Sequence, residues 1–167
     1  MKLMPGDVFA VNSDSLLAKS INAVQWIHSR DGEAKYNHAG IILDETGQTL
    51  EALWTIRKGH MDAYRGKQVI IARINAVSIQ KREAVLKQLI VEHMGQWYPF
   101  WRIPLHIVPP LAKISISKRL VCSEFDAKYE ARLGVRHGQW AGTNPDTLAD
   151  EWRKWRGFDI LFEGEWT

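Results

Sequence analysis

The 167-residue sequence lacks most of the features that would assign a function directly. It contains one cysteine, so no intrachain disulfide can form. It has no Cys-x-x-Cys, no His-Glu-x-x-His and no glycine-rich phosphate loop, which argues against zinc and nucleotide binding. No run of about 20 uninterrupted apolar residues is present, so we expect no transmembrane segment. We also expect that the protein needs no metal and no organic cofactor.

Positive and negative charges are also nearly balanced. The chain carries 22 Lys and Arg against 19 Asp and Glu, and its net charge is +3. These residues are scattered, which is typical of a solvated surface, and we expect no nucleic-acid partner. The first residues enter domain-like sequence with no apolar stretch of signal-peptide length. This favours a cytoplasmic location, or delivery inside a phage particle.

The length suits one domain, and no repeat or linker divides it, so residues 1–167 are predicted to form a single domain. Apolar and β-branched runs predict strands at residues 7–11, 38–43, 48–56, 69–74 and 158–162. Helical spacing of apolar residues predicts helices at 15–28, 78–94, 120–133 and 145–155, with a long proline-rich connection at 96–118. This mixture indicates an α+β fold with an antiparallel sheet.

Cys122 is the first candidate for chemistry. It lies in the first turn of a predicted helix whose apolar face continues through Phe125 and Tyr129. Unpaired backbone N–H groups and the positive end of the helix dipole favour a thiolate there, and the same N–H groups could hold an oxyanion. The alternative from position alone is that Cys122 is a small buried hydrophobe.

A cysteine nucleophile needs a base, and His38 is the strongest candidate among six histidines. It opens the apolar strand in Asn37-His38-Ala39-Gly40, where the small residues let another group approach closely. The alternative is a histidine at a strand edge that faces water. The remaining histidines lie in predicted loops, on helix surfaces or at a helix end.

Hairpin geometry points to Glu51 as the residue that orients His38. If residues 44–47 form the turn, Gly40 pairs with Glu51, and side-chain alternation places His38 and Glu51 on one face. Glu51 is then a diagonal neighbour of His38. The alternative is an exposed strand glutamate, and a register shift of one residue would separate the two side chains.

Several motifs resemble one known family. Asn37-His38-Ala39-Gly40-Ile41, Leu50-Glu51-Ala52 and Val121-Cys122-Ser123-Glu124-Phe125 resemble the circularly permuted members of the NlpC-type cysteine peptidase superfamily. Pro5-Gly6-Asp7-Val8, Gly95-Gln96-Trp97-Tyr98 and Asn144-Pro145-Asp146-Thr147-Leu148 resemble further family motifs. The nearest branch is the YiiX-like one, which is related to the lecithin:retinol acyltransferases.

The resemblance implies a permuted papain-like fold, in which a small antiparallel sheet or barrel packs against helices and the nucleophile opens a helix. It implies a cysteine peptidase or amidase with Cys122 as nucleophile, His38 as base and Glu51 as its orienting acid. Tyr98 would lie near the cleft and assist the oxyanion. The implied substrates are peptides, in the first place those of peptidoglycan.

Two other functions remain open from the sequence. Lipid deacylation or acyl transfer would suit the relatives that act on lipids and the apolar 97–116 stretch. A non-enzymatic structural module, such as a component of a phage tail, would retain the fold inside a larger assembly. Eight tryptophans could serve either function by stacking on sugars or contacting lipid, although about half of them are expected to fill the core.

Overall fold

The computed structural model describes residues 1–13, 35–97, 122–136 and 143–167. Within these ranges six strands form one antiparallel sheet in the order β4-β3-β2-β1-β5-β6. The strands are β1 (Val8–Val11), β2 (His38–Ile42), β3 (Gln48–Ala52), β4 (Ile56–His60), β5 (Gln68–Ile74) and β6 (Phe158–Glu165). A short 3₁₀ helix (Met61–Tyr64) follows β4. The predicted α+β class with an antiparallel sheet is therefore confirmed.

Three α-helices lie in the described ranges: α1 (Ile79–His93), α2 (Cys122–Leu133) and α3 (Pro145–Lys154). Asn144 caps α3 by accepting a hydrogen bond from the Thr147 N–H at 2.7 Å, as its side chain and the following proline predict. Gly95 and Gly134 follow α1 and α2 in the left-handed conformation that ends helices. The predicted helix at 15–28, most of the connection at 96–118 and residues 120–121 lie outside the described residues.

The prediction of one strand over residues 48–56 is wrong. β3 ends at Ala52, the chain turns over residues 53–55, and β4 returns antiparallel to β3. β4 is an edge strand that carries Arg57 and Lys58, both exposed, so it has no apolar alternation to reveal it. The other edge strand, β6, also continues in polar residues beyond the predicted end at residue 162.

Two apolar clusters lie on opposite faces of the sheet, because side chains alternate along each strand. The larger cluster joins one face to the helices and includes Ile41, Leu50, Phe125 and Trp152. The second cluster covers the other face; its members are Leu3, Phe9, Val11, Ile42, Met61, Tyr64, Val69 and Ile71. No helix within the described ranges has the length and apolar character needed to cross a membrane.

Contacts between neighbouring helices and strands show which of their ends lie close together. Lys81 at the start of α1 donates to the Leu133 carbonyl at the end of α2 at 3.1 Å. The chain after α1 then meets the start of β4, where the Ile56 N–H donates to the Gln96 carbonyl at 2.9 Å. The start of β2 and the end of β3 are neighbours in the sheet. α2 packs against β2 in this part of the domain.

Candidate active site

Cys122 is the first residue of α2 and is 2% exposed. The helix packs against β2, the strand that begins with His38. In the first turn of a helix, backbone N–H groups have no intrahelical acceptor and the helix dipole is positive. This position suits a negative sulfur atom and a negative oxygen atom on a bound carbonyl group.

The register of the β2–β3 hairpin brings His38 and Glu51 together. Gly40 pairs with Glu51, as the turn at residues 44–47 predicts. His38 Nε2 lies 2.7 Å from Glu51 Oε2, and both side chains are buried. Because a carboxylate only accepts hydrogen bonds, Nε2 carries the proton of this bond.

Cys122 lies near enough to His38 to act on its pKa, both as a hydrogen-bonding partner and through its charge. Since Nε2 is taken by Glu51, the remaining ring nitrogen, Nδ1, is the one that can face the sulfur atom. Burial lowers the pKa of His38, but the hydrogen bonds to Cys122 and Glu51 and their negative charges outweigh it and raise the pKa to about 10. His38 is therefore held as an imidazolium between a sulfur atom and a carboxylate.

Glu51 is itself fixed by neighbours that the sequence did not reveal. The hydroxyl groups of Thr49 and Tyr64 both donate hydrogen bonds to its carboxylate. Burial raises the pKa of Glu51, but the hydrogen bonds and charge of His38 and the two hydroxyl groups hold it below the ordinary value. Burial and the Glu51 charge raise the pKa of Tyr64, so its hydroxyl group stays protonated and remains a donor.

Two glycines make room for this carboxylate. A Cβ atom at Gly59 would stand 2.4 Å from Glu51 Oε1, and one at Gly40 would stand 3.0 Å from Glu51 Cγ. These glycines lie on β4 and β2, the two neighbours of β3. Glycine at these two positions therefore leaves space in the neighbouring strands for the Glu51 side chain.

The structure thus brings together three of the four predicted site residues, Cys122, His38 and Glu51, with His38 acting on both of the others. The fourth, Tyr98, lies outside the described residues. Thr49 could have been found from the sequence, because it lies two residues before Glu51 and so shares its face. No sequence pattern pointed to Tyr64, because its position depends on the unpredicted strand β4 and the 3₁₀ helix after it.

A further buried acid, Asp126, lies one helical turn after Cys122. It is fully buried, and neither carboxyl oxygen has a hydrogen-bond partner in the described part of the chain. Burial raises the pKa of Asp126 well above its ordinary value, and the negative charges of Glu130 and Cys122 act in the same direction. Burial therefore favours the neutral form of Asp126 in the folded protein.

Replacing Asp126 with leucine should make the protein more stable. An unpaired buried polar group costs on the order of 1–3 kcal/mol, which leucine would not incur. In the unfolded chain the acid ionises near pH ~3.9, so the wild type loses stability as pH rises from there towards the raised folded value. The gain in the free energy of unfolding, measured with urea, should be larger at pH 7 than at pH 4.

The matched control is Asp150→Leu on α3, where the acid is partly exposed and paired with Arg153. We expect that change to move the free energy of unfolding by about 0.5 kcal/mol or less at either pH. A loss of stability in Asp126→Leu at pH 7 would show that the carboxyl group has a stabilising partner.

No family model matches this chain, and no curated protein does. Among solved structures, its fold is similar to that of the metalloprotein YiiX from Escherichia coli O157:H7. The TM-score is 0.64 at 16% sequence identity, and the match covers 100% of both chains. At this identity the likeness is one of fold, and it agrees with the YiiX-like branch that the motifs predict.

The described residues contain no group of three His, Cys, Asp or Glu side chains that could hold a metal ion. His38, Glu51 and Cys122 bond one another in a line, with His38 in the middle, and do not converge on a common point. Within these ranges the side chains present do not fit a metal centre, and we assign no metal a part in the chemistry.

Proposed function

We propose that this protein is a cysteine hydrolase that cleaves amide bonds through a thioacyl intermediate, with peptidoglycan peptides as its substrates. The observation that supports this most directly is the buried hydrogen-bonded line from Cys122 through His38 to Glu51. The motifs shared with permuted NlpC-type peptidases, in which the histidine precedes the cysteine, point to the same chemistry and to a papain-like core. The peptidoglycan assignment depends on that resemblance.

In the first half of the reaction, the Cys122 thiolate attacks the carbonyl carbon and a sulfur–carbon bond forms. The carbonyl oxygen becomes negative and is held by backbone N–H groups at the start of α2. His38 then transfers its Nδ1 proton to the amide nitrogen as the carbon–nitrogen bond breaks. An amine leaves, and the acyl group stays on sulfur as a thioester.

In the second half, water attacks the thioester carbon and His38, now neutral, accepts a proton from it. The carbon–sulfur bond breaks, a carboxylic acid leaves, and the thiolate–imidazolium pair returns. Glu51 keeps the His38 ring in one orientation and one tautomer through both steps, because its bond to Nε2 does not change. Glu51 therefore acts through His38 and does not touch the substrate.

Alkylation of Cys122 with iodoacetamide tests this proposal. The raised pKa of His38, about 10, means that a positive ring faces the sulfur atom over most of the pH range. We expect the wild type to react faster than His38→Ala below pH 7, because a positive ring beside the sulfur atom stabilises the thiolate that reacts. At pH 6 the rate should fall by at least about tenfold in His38→Ala.

The matched control is His60→Ala, which removes a partly exposed histidine that bonds only its neighbour Asp62 among the described residues. Its alkylation profile should equal that of the wild type. A wild-type protein that is unreactive at pH 6, with a profile that His38→Ala leaves unchanged, would refute the proposal. It would favour a structural module in which the cysteine fills the core.

A lipid substrate is the second candidate, and exposed tryptophans favour it. Trp54 is 63% exposed and Trp97 is 64% exposed. Trp54 lies in the turn after β3, and Trp97 pairs with Thr55 of that turn, so both belong to the side of the domain where β2 and α2 begin. Exposed aromatic rings of this kind can contact lipid as well as sugars.

Two substrates distinguish these candidates. Release of amines from purified peptidoglycan, without transfer of an acyl chain to the protein, would support the peptidase. A thioester at Cys122 after incubation with a phospholipid, detected as the added mass of one acyl chain, would support the lipid enzyme. Both reactions depend on the same Cys122–His38 pair, so only the substrate assignment changes.

A further inference from the structure

A buried chain of hydrogen bonds connects the residue after Cys122 to the far end of α2. Ser123 Oγ donates to the Thr143 carbonyl at 2.6 Å. Arg136 Nη2 donates to Thr143 Oγ1 at 3.1 Å, and Arg136 Nη1 donates to Glu130 Oε2 at 3.0 Å. One guanidinium group therefore holds Thr143 on one side and Glu130 on the other.

Glu130 is fully buried at the centre of this chain. Its other oxygen accepts a hydrogen bond from Trp152 Nε1 at 2.6 Å. Arg136 has a second acid partner, Glu151 of α3, at 2.6 Å. The charged and titratable groups that interact with Glu130 include Arg136 after α2, Glu151 on α3, and Asp126 and Tyr129 on its own helix.

The charge of Glu130 changes near neutral pH. Burial raises its pKa to about 7, although the Trp152 hydrogen bond and the Arg136 charge and hydrogen bond lower it. Below that pH the acid is protonated and loses its charge attraction to Arg136. The guanidinium group then keeps only Glu151 as a charged partner, and Glu151 is more exposed. As a result, the hydrogen bond from the Arg136 guanidinium group to Thr143 weakens.

Thr143 matters because it fixes the first turn of α2. Ser123 follows the proposed nucleophile directly, and its backbone N–H is among those expected to hold the oxyanion. The Thr143 carbonyl holds the Ser123 side chain from outside the helix. A displacement of about 1 Å at such a donor is enough to slow a reaction substantially.

We propose that Glu130, Arg136, Thr143 and Ser123 form a positioning chain that holds the first turn of α2 in its reactive geometry, and that the chain is intact only while Glu130 is charged. This inference rests on the proposed function. None of the four side chains reacts with substrate; they act through the backbone around Cys122. Glu130 lies two helical turns from Cys122, about 12 Å along the axis.

The test compares the pH dependence of kcat for amide hydrolysis in the wild type and in Glu130→Gln. One pH unit below its midpoint, about a tenth of a titrating acid is ionised. Because the uncharged state is expected to keep about a tenth of the activity, the wild-type kcat should rise about fivefold between pH 6 and pH 8. Glu130→Gln should have a kcat about tenfold lower at pH 8, no such rise, and an unchanged KM.

Ser123→Ala provides a second variant, because it cuts the chain next to the nucleophile. Its kcat should be low and flat over the same pH range. Adding Glu130→Gln to it should cause no further loss, since coupled residues are not additive. The matched control is Glu163→Gln on β6, an exposed glutamate paired with Arg153, which should leave the kcat profile unchanged.

Alkylation of Cys122 in the same preparations separates the two proposals. A reactive and active wild type in which Glu130→Gln keeps full kcat and the same pH profile would overturn the positioning chain alone. Additive losses in the double variant would overturn it as well. A wild type that neither reacts with iodoacetamide nor hydrolyses amides would overturn both the proposed function and this inference.

Discussion

Replacing Cys122 with serine should abolish amide hydrolysis, lowering kcat/KM by at least about 10³-fold. A serine hydroxyl group at this position cannot form the stable anion that faces the His38 imidazolium, so the attacking group is lost. His38→Ala should cause a loss of similar size, because the sulfur atom loses its charged partner and the leaving amine loses its proton donor. The measurement is release of amines from peptidoglycan or from a peptide amide at pH 8.

The double variant provides the sharper test. Because nucleophile and base act as one unit, Cys122→Ser combined with His38→Ala should be no slower than either change alone. Far-ultraviolet circular dichroism should show that each variant is folded. Hydrolysis that survives Cys122→Ser at more than a hundredth of the wild-type rate would mean that another residue is the nucleophile.

Replacing Asp7 with alanine should destabilise the protein by about 3–5 kcal/mol. Asp7 is fully buried at the start of β1 and accepts hydrogen bonds from Arg73 on β5 at 2.7 and 2.9 Å and from Arg82 on α1 at 3.0 Å. Arg82 is also buried, so removing its partner would leave an uncompensated charge inside the protein. The free energy of unfolding in urea at pH 7 measures the loss.

Asp62→Ala is the matched control, because Asp62 pairs with Arg65 but is mostly exposed. Its effect should stay within about 0.5 kcal/mol. The double variant Asp7→Ala with Arg82→Met should recover part of the loss, since it removes both buried charges together. If Asp7→Ala alone costs less than about 1 kcal/mol, water must replace the carboxylate around Arg82.

The parts of the site that could be predicted depend on short-range geometry. The contact between His38 and Glu51 follows from a four-residue turn and the two-residue period of strands, and both can be counted along the sequence. The position of Cys122 at a helix start follows from the apolar spacing after it. The prediction that Cys122 and His38 lie together depended on the resemblance to a family, because no local sequence pattern relates residues that are so far apart in the chain.

The features that were missed depend on the assembled fold. β4 is an edge strand with polar residues, so its sequence pattern resembles that of a loop. Because β4 was not predicted, neither Tyr64 nor Gly59 could be placed beside Glu51. Glu130 and Asp126 would be taken for surface acids on a helix. Their burial results from the packing of α2 against the sheet and α3, which no single helix reveals.

The packing of α2 on β2 makes the reactivity of the thiol conditional on complete folding. His38 and Glu51 meet within one hairpin, whereas Cys122 arrives from a much later part of the chain. A nascent chain that has not yet released α2 from the ribosome has a histidine and an acid in place, but no nucleophile. Once released but undocked, the cysteine is an ordinary thiol. The proposed chemistry would therefore begin only after α2 has docked on the sheet.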